Sequence, residues 1–206
     1  MNKLSQLVVS AVASLTLFSG ASWADAATDL QTKLQKVAKF SASFSQQVLD
    51  IDGTVIQQAS GEMKLAQPDQ FRWQVKQPDE ELVVSNGSTV WIYSPFVEQV
   101  TLLDQADAVA GTPFLLLAST DASVWQQYDV SQADTRYIVK PKDDEANIAE
   151  FSLNFDAQDQ LVGFSIKERQ GQTSEFELSN LNLAPTLANS DFEFVIPAGV
   201  EVDDQR

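Results

Sequence analysis

The side chains that could do chemistry in this chain are almost all carboxylates. It carries 29 Asp and Glu against 13 Lys and Arg, with no Cys and no His. Those two absences remove thiolate nucleophiles, imidazole bases, Cys/His zinc sites and disulfides. No G-x-S-x-G elbow and no phosphate-cradling glycine loop occurs. A pair of carboxylates would suffice for glycoside hydrolysis, but nothing in the spacing singles one out. Two stretches imitate functional motifs. Asp50-Ile51-Asp52-Gly53 resembles the front of a calcium loop, yet it lacks the third acidic position and the distal Glu, so a hairpin turn is expected. Asn86-Gly87-Ser88 fits a glycosylation sequon, but its flanks read as strands, so Asn86-Gly87 is expected to be the loop of a type I′ hairpin. No nucleophile, base and orienting group can be assembled. The expectation is a protein that is not an enzyme and uses no cofactor or metal.

The charge balance narrows the partners. A formal net charge of -16 argues against nucleic acid, because affinity for phosphate backbones comes from Lys and Arg. With 44% hydrophobic and 20% charged residues, 206 residues are enough for one domain with a real core. Residues 1–24 read as a cleaved signal peptide: a short basic start at Lys3, an apolar run from Leu7 to Phe18, and Ser22-Trp23-Ala24 as the cleavage site. Residues 25–206 would then form a single exported domain. No later run reaches transmembrane length. An exported chain without cysteine suits a bacterial periplasm.

The elements that must position any site follow from periodicity. Thr28-Asp29-Leu30-Gln31 resembles a capping box, and Leu30, Leu34 and Val37 follow at helical spacing, predicting a helix over about Thr28 to Lys39. The period then becomes two. Phe40, Ala42 and Phe44 alternate with serines, Val55 to Ala66 reads as a long strand with Gly61 a bulge or bend, and Phe71, Trp73 and Val75 alternate with Arg72, Gln74 and Lys76. The hairpin Leu82 to Val100 is unusual in being apolar in both phases. With Asn86-Gly87 as its loop, Leu82 pairs Trp91 and Val84 pairs Thr89. The face carrying Leu82, Val84, Trp91 and Tyr93 is bulkier and uncharged, so it is expected inward with Phe71, Trp73 and Val75. Asp104 to Ala110 is weakly helical, and Thr112-Pro113 starts a second, apolar helix from Phe114 to Ala118. Strands resume at about Trp125 to Val130, Tyr137 to Lys140, Ile148 to Phe155, Leu161 to Glu168 and Glu175 to Leu183, with a last extended stretch at Phe192 to Pro197. The total of about 10–11 short strands predicts an antiparallel meander, closed or half-closed. Its inward face needs a cover, and the two apolar helices are the candidates, giving a lid over an apolar cavity.

An ordered set of motifs then resembles one family: Pro68-Asp69-Gln70-Phe71-Arg72-Trp73, Gln77-Pro78-Asp79-Glu80, Val84-Ser85-Asn86-Gly87, Trp91 to Gln99, Thr112-Pro113-Phe114 and the closing Pro197 to Arg206. Together they are similar to the LolA family of periplasmic carriers of outer-membrane lipoproteins. The resemblance implies an unclosed antiparallel β-barrel with a helical lid over a hydrophobic cavity. It also implies a monomeric carrier that takes acylated lipoproteins from an inner-membrane ABC transporter and delivers them to an outer-membrane receptor, LolB. LolB shares the fold but is anchored through a lipidated cysteine, which this chain lacks. By the same resemblance, Leu34, Phe114 and Leu117 are lid contacts. Phe71 is expected at the edge of the concave face, and Phe71, Trp73, Val75, Leu82, Val84, Trp91 and Tyr93 line the acyl-chain cavity. Family members commonly carry arginine just before the proline of the first motif, where it hydrogen-bonds the lid. Here that position is Gln67, which donates but carries no charge. Two other classes stay open: a periplasmic module that binds or senses lipids on the same scaffold, and an enzyme with a buried carboxylate pair.

Overall fold

The computed structural model describes residues 23–111 and 116–206. Strands dominate because β-branched and aromatic residues recur with period two between turn residues. In chain order they are β1 (Lys39–Leu49), β2 (Val55–Ala66), β3 (Gln70–Gln77), β4 (Glu81–Asn86), β5 (Thr89–Ser94) and β6 (Gln99–Asp104), then β7 (Tyr128–Ala133), β8 (Arg136–Pro141), β9 (Ile148–Phe155), β10 (Leu161–Glu168), β11 (Thr173–Asn182) and β12 (Glu201–Asp204). The helices are α1 (Trp23–Lys36), α2 (Gln105–Gly111) and α3 (Ala122–Trp125).

All twelve described strands form one sheet, ordered β12-β6-β5-β4-β3-β2-β1-β11-β10-β9-β8-β7. Two antiparallel meanders, β1 to β6 and β7 to β11, are joined where β11 pairs with β1. The outer strands β12 and β7 do not pair with each other, so the barrel is unclosed. Among the described strands only β12 runs parallel to its neighbour, pairing Val202 with Val100 on β6. Helix α1 packs along β7 and so covers one of the two exposed edges.

The main core lies on the concave face. Phe40, Phe44, Leu65, Phe71, Phe151 and Phe164 are buried there together with Leu30 and Leu34 of α1. Gly61 makes this possible on β2. It sits opposite Phe44 and Val75, beside a register irregularity at Ser60/Gly61, and a Cβ there would fall 2.7 Å from the Phe44 ring. The bulge or bend expected at Gly61 appears as this register irregularity.

Several expectations are corrected. Helix α1 begins at Trp23, not at Thr28, and Thr28 uses its carbonyl to accept from the Thr32 hydroxyl inside the helix. Trp125 ends the short helix α3, where Asp121 caps the start by accepting from the Ser123 N–H at 2.8 Å, so β7 begins only at Tyr128. The stretch after Asn189–Phe192, a 3-10 turn, is not a strand; β6 and β12, which periodicity did not single out, raise the count to twelve. The β4–β5 loop is Gly87-Ser88, not Asn86-Gly87. Val84 pairs Trp91 and Leu82 pairs Tyr93, a register slip of two residues. The cause is local: the Asn86 side-chain oxygen accepts from the N–H of both Ser88 and Thr89 at 3.0 Å, which places Gly87, with φ +95°, at the first central position. Asp50 to Gly53 is a hairpin turn as expected, its carboxylates accepting backbone N–H groups of Ile51 and Thr54. The expected helix start at Thr112-Pro113, and Phe114 with it, lies outside the described residues.

Candidate functional site

The concave face is not filled from end to end. At the end of the sheet away from the helices it opens into a cavity of about 320 Å³. Trp73 and Val75 of β3, Val83 of β4, Ile148 of β9, Ile166 of β10 and Phe176 of β11 supply its apolar lining. Glu81 and Glu168 add two carboxylates to the same lining. Trp73 is the hub. Its ring stacks on Phe44 with centroids 3.7 Å apart and meets Phe176 edge-on at 5.2 Å and Phe164 at 6.1 Å. Gln46, Asn147 and Ser174 complete the lining, so the site is a preformed cleft with an apolar wall and a polar one, of the size at which small-ligand pockets begin (~300–1,000 Å³).

The hairpin was expected to present its other face. In register, Trp73 pairs Val83 and Phe71 pairs Ser85, whereas Arg72 pairs Val84 and Gln74 pairs Leu82. Facing residues of an antiparallel pair share a side. So Leu82, Val84, Trp91 and Tyr93 lie on the convex side with Arg72 and Gln74, and none of them reaches the cavity. Their bulk has another cover. The segment after β11 crosses the convex face: its 3-10 turn packs on β3 and β4, Phe192 is buried, and Phe194 lies 5.1 Å from Tyr93. Lys64 fixes it by an ion pair to Asp191 at 2.7 Å, which holds the Asp191 carboxyl below the usual carboxylate range. Val84, Val100 and Leu102 are buried here, outside the main core. The sheet is therefore apolar on both sides for two reasons, a cavity within and a strap without.

Of the remaining expected site residues, Trp73 and Val75 line the cavity, while Phe71 is wholly buried and not at an edge. Leu34 of α1 and Leu117 are both buried in the main core. Sequence reasoning missed Val83, Ile148, Ile166 and Phe176. The available signal for Val83 was the clean alternation of β3, which fixes the face of whatever pairs with it.

The lid is held at the β2–β3 turn. Gln67 Nε2 donates to the Leu117 carbonyl at 3.0 Å, and the Asp69 N–H donates to the Ala118 carbonyl at 2.9 Å. A neutral amide thus ties this turn to the segment that follows α2. Removing it with Gln67→Leu leaves that carbonyl without its donor, costing about 1 kcal/mol and raising the open population roughly fivefold. The expected readout is a matching rise in binding of an apolar fluorescent dye to the otherwise native protein; unchanged dye binding would contradict the latch.

Helix α1 is held differently. The Tyr137 hydroxyl donates to the Asp29 carboxylate, and Lys33 pairs with Asp159 in the β9–β10 turn. Burial, then the Asp29 partner, pushes the Tyr137 phenol up; the Lys33 hydrogen bond holds the Asp159 carboxyl below its usual range. A carboxylate with a depressed folded pKa stabilises above its unfolded value, near 4, and that contribution is lost as pH falls through the folded value. Wild-type protein is therefore expected to lose thermal stability below about pH 4, and Asp159→Asn to flatten part of that fall. Identical pH profiles for the two proteins would sink this role for Lys33–Asp159.

Fold and cavity together define a class: a single unclosed sheet whose concave face packs an apolar core beneath helices and opens into a cleft beyond them. The chain belongs to the LolA family, described as outer membrane lipoprotein carrier protein LolA, which it matches over residues 35–195. It is 46% identical to an outer-membrane lipoprotein carrier protein of Aeromonas salmonicida (strain A449), with 98% of each chain covered. It is 45% identical to one of Pasteurella multocida (strain Pm70), covering 98% of this chain and 99% of that one. Among solved structures, an uncharacterized conserved protein from Thermus thermophilus shares the fold, with a TM-score of 0.53 at 12% identity over 87% of this chain and 99% of that one. Among the described residues no helix is long and apolar enough to cross a membrane.

Proposed function

We propose that this protein is a carrier for acylated lipoproteins. Its cargo would come from an inner-membrane ABC transporter, cross the periplasm with its acyl chains on the concave face, and pass to an outer-membrane receptor of the LolB type. The single observation that carries this reading is the cleft whose apolar wall, Trp73, Val75, Val83 and Phe176, belongs to the main core of the concave face. Family membership and the relatives' names support the same reading. Removal of residues 1–24 as a signal peptide and action as a monomer belong to it.

The energetics suit a carrier. Hiding acyl chain from water is worth about 0.8 kcal/mol per CH₂, so one long chain gains on the order of 10 kcal/mol before losses. A closed lid offsets part of that gain, because opening it gives up the burial of Leu34 and Leu117. Binding stays reversible, as delivery requires.

The test is to express the precursor in a Gram-negative host, purify from the periplasm without detergent, and weigh the product by native mass spectrometry. One-to-one complexes with acylated lipoproteins are expected. Free phospholipid alone would favour a lipid-binding module, and an empty protein that ignores added triacylated lipoprotein would end the carrier reading.

A further inference from the structure

We propose that Glu81 and Glu168 let the cleft sort lipids by the charge of the head group: it admits the uncharged head of an acylated cysteine and refuses lipids that carry a phosphate there. This rests on the carrier reading and adds to it which lipids the carrier rejects. The acyl chains of the two kinds are alike, so an apolar wall cannot tell them apart. Discrimination has to come from a repulsive element placed where the heads differ.

Register places both carboxylates in the cleft. Glu81 opens β4 and pairs with Val75, and Glu168 closes β10 two residues after Ile166. Facing residues of a pair share a side, as do alternate residues along a strand. Both glutamates accordingly join Val75 and Ile166 in the lining. They stand at strand ends on the open side. Trp73 and Phe176 lie further in, against Phe44 and Phe164 of the core. An acyl chain on this wall points its tail at the aromatic cluster and its head at the carboxylates.

Their charge is not neutralised. Among the described residues no Lys or Arg lines the cleft, and neither carboxylate has an ion-pair or hydrogen-bond partner. Neighbouring cations are committed elsewhere. Arg169 donates to the Ala146 and Asp143 carbonyls and pairs with Asp144. Lys76 alternates with Val75 and pairs with Glu62 at 2.6 Å. Lys167 falls between Ile166 and Glu168, so it faces the convex side. By contrast Asp159 and Asp191, which hold α1 and the strap, are each matched by a lysine. The other polar residues of the lining, Gln46, Asn147 and Ser174, carry donors that suit an ester or amide carbonyl. A triacylated N-terminal cysteine offers such carbonyls and no charge, since its amine is acylated and its sulfur is a thioether. A phosphate in the same place would set an anion beside two carboxylates against an apolar wall, where like charges repel more strongly than in open water.

The probes are a short-chain diacylglycerol and the phosphatidate with the same acyl chains, each competing against a fluorescent triacylated lipopeptide. The unaltered protein is expected to take the diacylglycerol about tenfold more tightly or better, and added salt to narrow that ratio. Glu81→Gln combined with Glu168→Gln is expected to bring the ratio below about threefold. Glu175→Gln with Glu177→Gln is the control. It removes the same charge from exposed positions on either side of Phe176, on the convex face, and should keep the wild-type ratio. Equal affinity of the unaltered protein for the two lipids, a ratio that survives loss of Glu81 and Glu168, or equal narrowing in the control would overturn the proposal. Protein that binds the lipopeptide without discriminating between the two lipids loses this inference alone. Protein that fails to bind the lipopeptide removes the carrier reading, and this one with it.

Discussion

Trp73→Ala is expected to lower the thermal midpoint by roughly 10 °C, from a loss of about 3–5 kcal/mol in a domain where each kcal/mol is worth about 2–4 °C. The ring is only 5% exposed and touches the aromatic side chains of Phe44, Phe71, Phe164 and Phe176. It joins the meander of β1 to β6 to that of β7 to β11, so its removal opens a void that neither half can close alone. The void also enlarges the cavity, because Trp73 is part of its wall. Urea titration should show the same loss with an unchanged slope, since the surface exposed on unfolding is nearly the same. Trp73→Phe keeps a stacked ring and is expected to lose less than half as much. A midpoint within about 2 °C of wild type for the alanine variant would mean the cluster contributes little.

A single methyl at Gly61 is expected to do comparable damage. An alanine Cβ there would sit 2.0 Å from the Gln74 carbonyl oxygen and 2.7 Å from the Phe44 ring. Both β1 and β3 pair with this strand, so the backbone has no free side to move toward. Phe44 cannot yield without leaving its stack on Trp73. Overpacking of this severity costs about 3 kcal/mol or more, enough to make soluble yield collapse. Gly53→Ala is the control: nothing lies within 4 Å and only the φ of +83° is unfavourable, so about 1 kcal/mol is expected. Equal stability of the two variants by urea unfolding would refute the steric argument.

Much of the scaffold was legible in the chain. Period-two alternation in β1 to β3 located strands and, through Phe71, Trp73 and Val75, the concave face. Local turn chemistry hid the rest. Asn86-Gly87 is the commonest two-residue hairpin loop, but here Asn86 works through its side chain, the loop moves on by one residue and the register by two. That slip preserves which residues share a face, so it did not cause the reversal of Leu82, Val84, Trp91 and Tyr93. The reversal came from judging inwardness by bulk. A face can be bulky because something other than the cavity covers it, and Phe192 and Phe194, about a hundred residues further on, cannot be assigned to that face from periodicity. The short parallel strand β12 escaped for a related reason: its residues, Glu201 to Asp204, are mostly acidic, and it exists only through its pairing with β6. The start of the expected apolar helix from Phe114 to Ala118 lies outside the described residues, and the polar ties that hold α1 depend on Asp159 and Tyr137, distant from it in sequence.

The most direct test asks on which face the acyl chain lies. Lipopeptide with brominated acyl chains quenches only tryptophans it approaches, and Trp73 of β3 and Trp91 of β5 stand on opposite faces of the sheet. In a Trp125→Phe background, which removes the other tryptophan of the concave core, quenching should be largely abolished by Trp73→Phe and retained in Trp91→Phe. Quenching that survives loss of Trp73 and disappears with Trp91 would place the cargo on the convex face and contradict the carrier cavity described above.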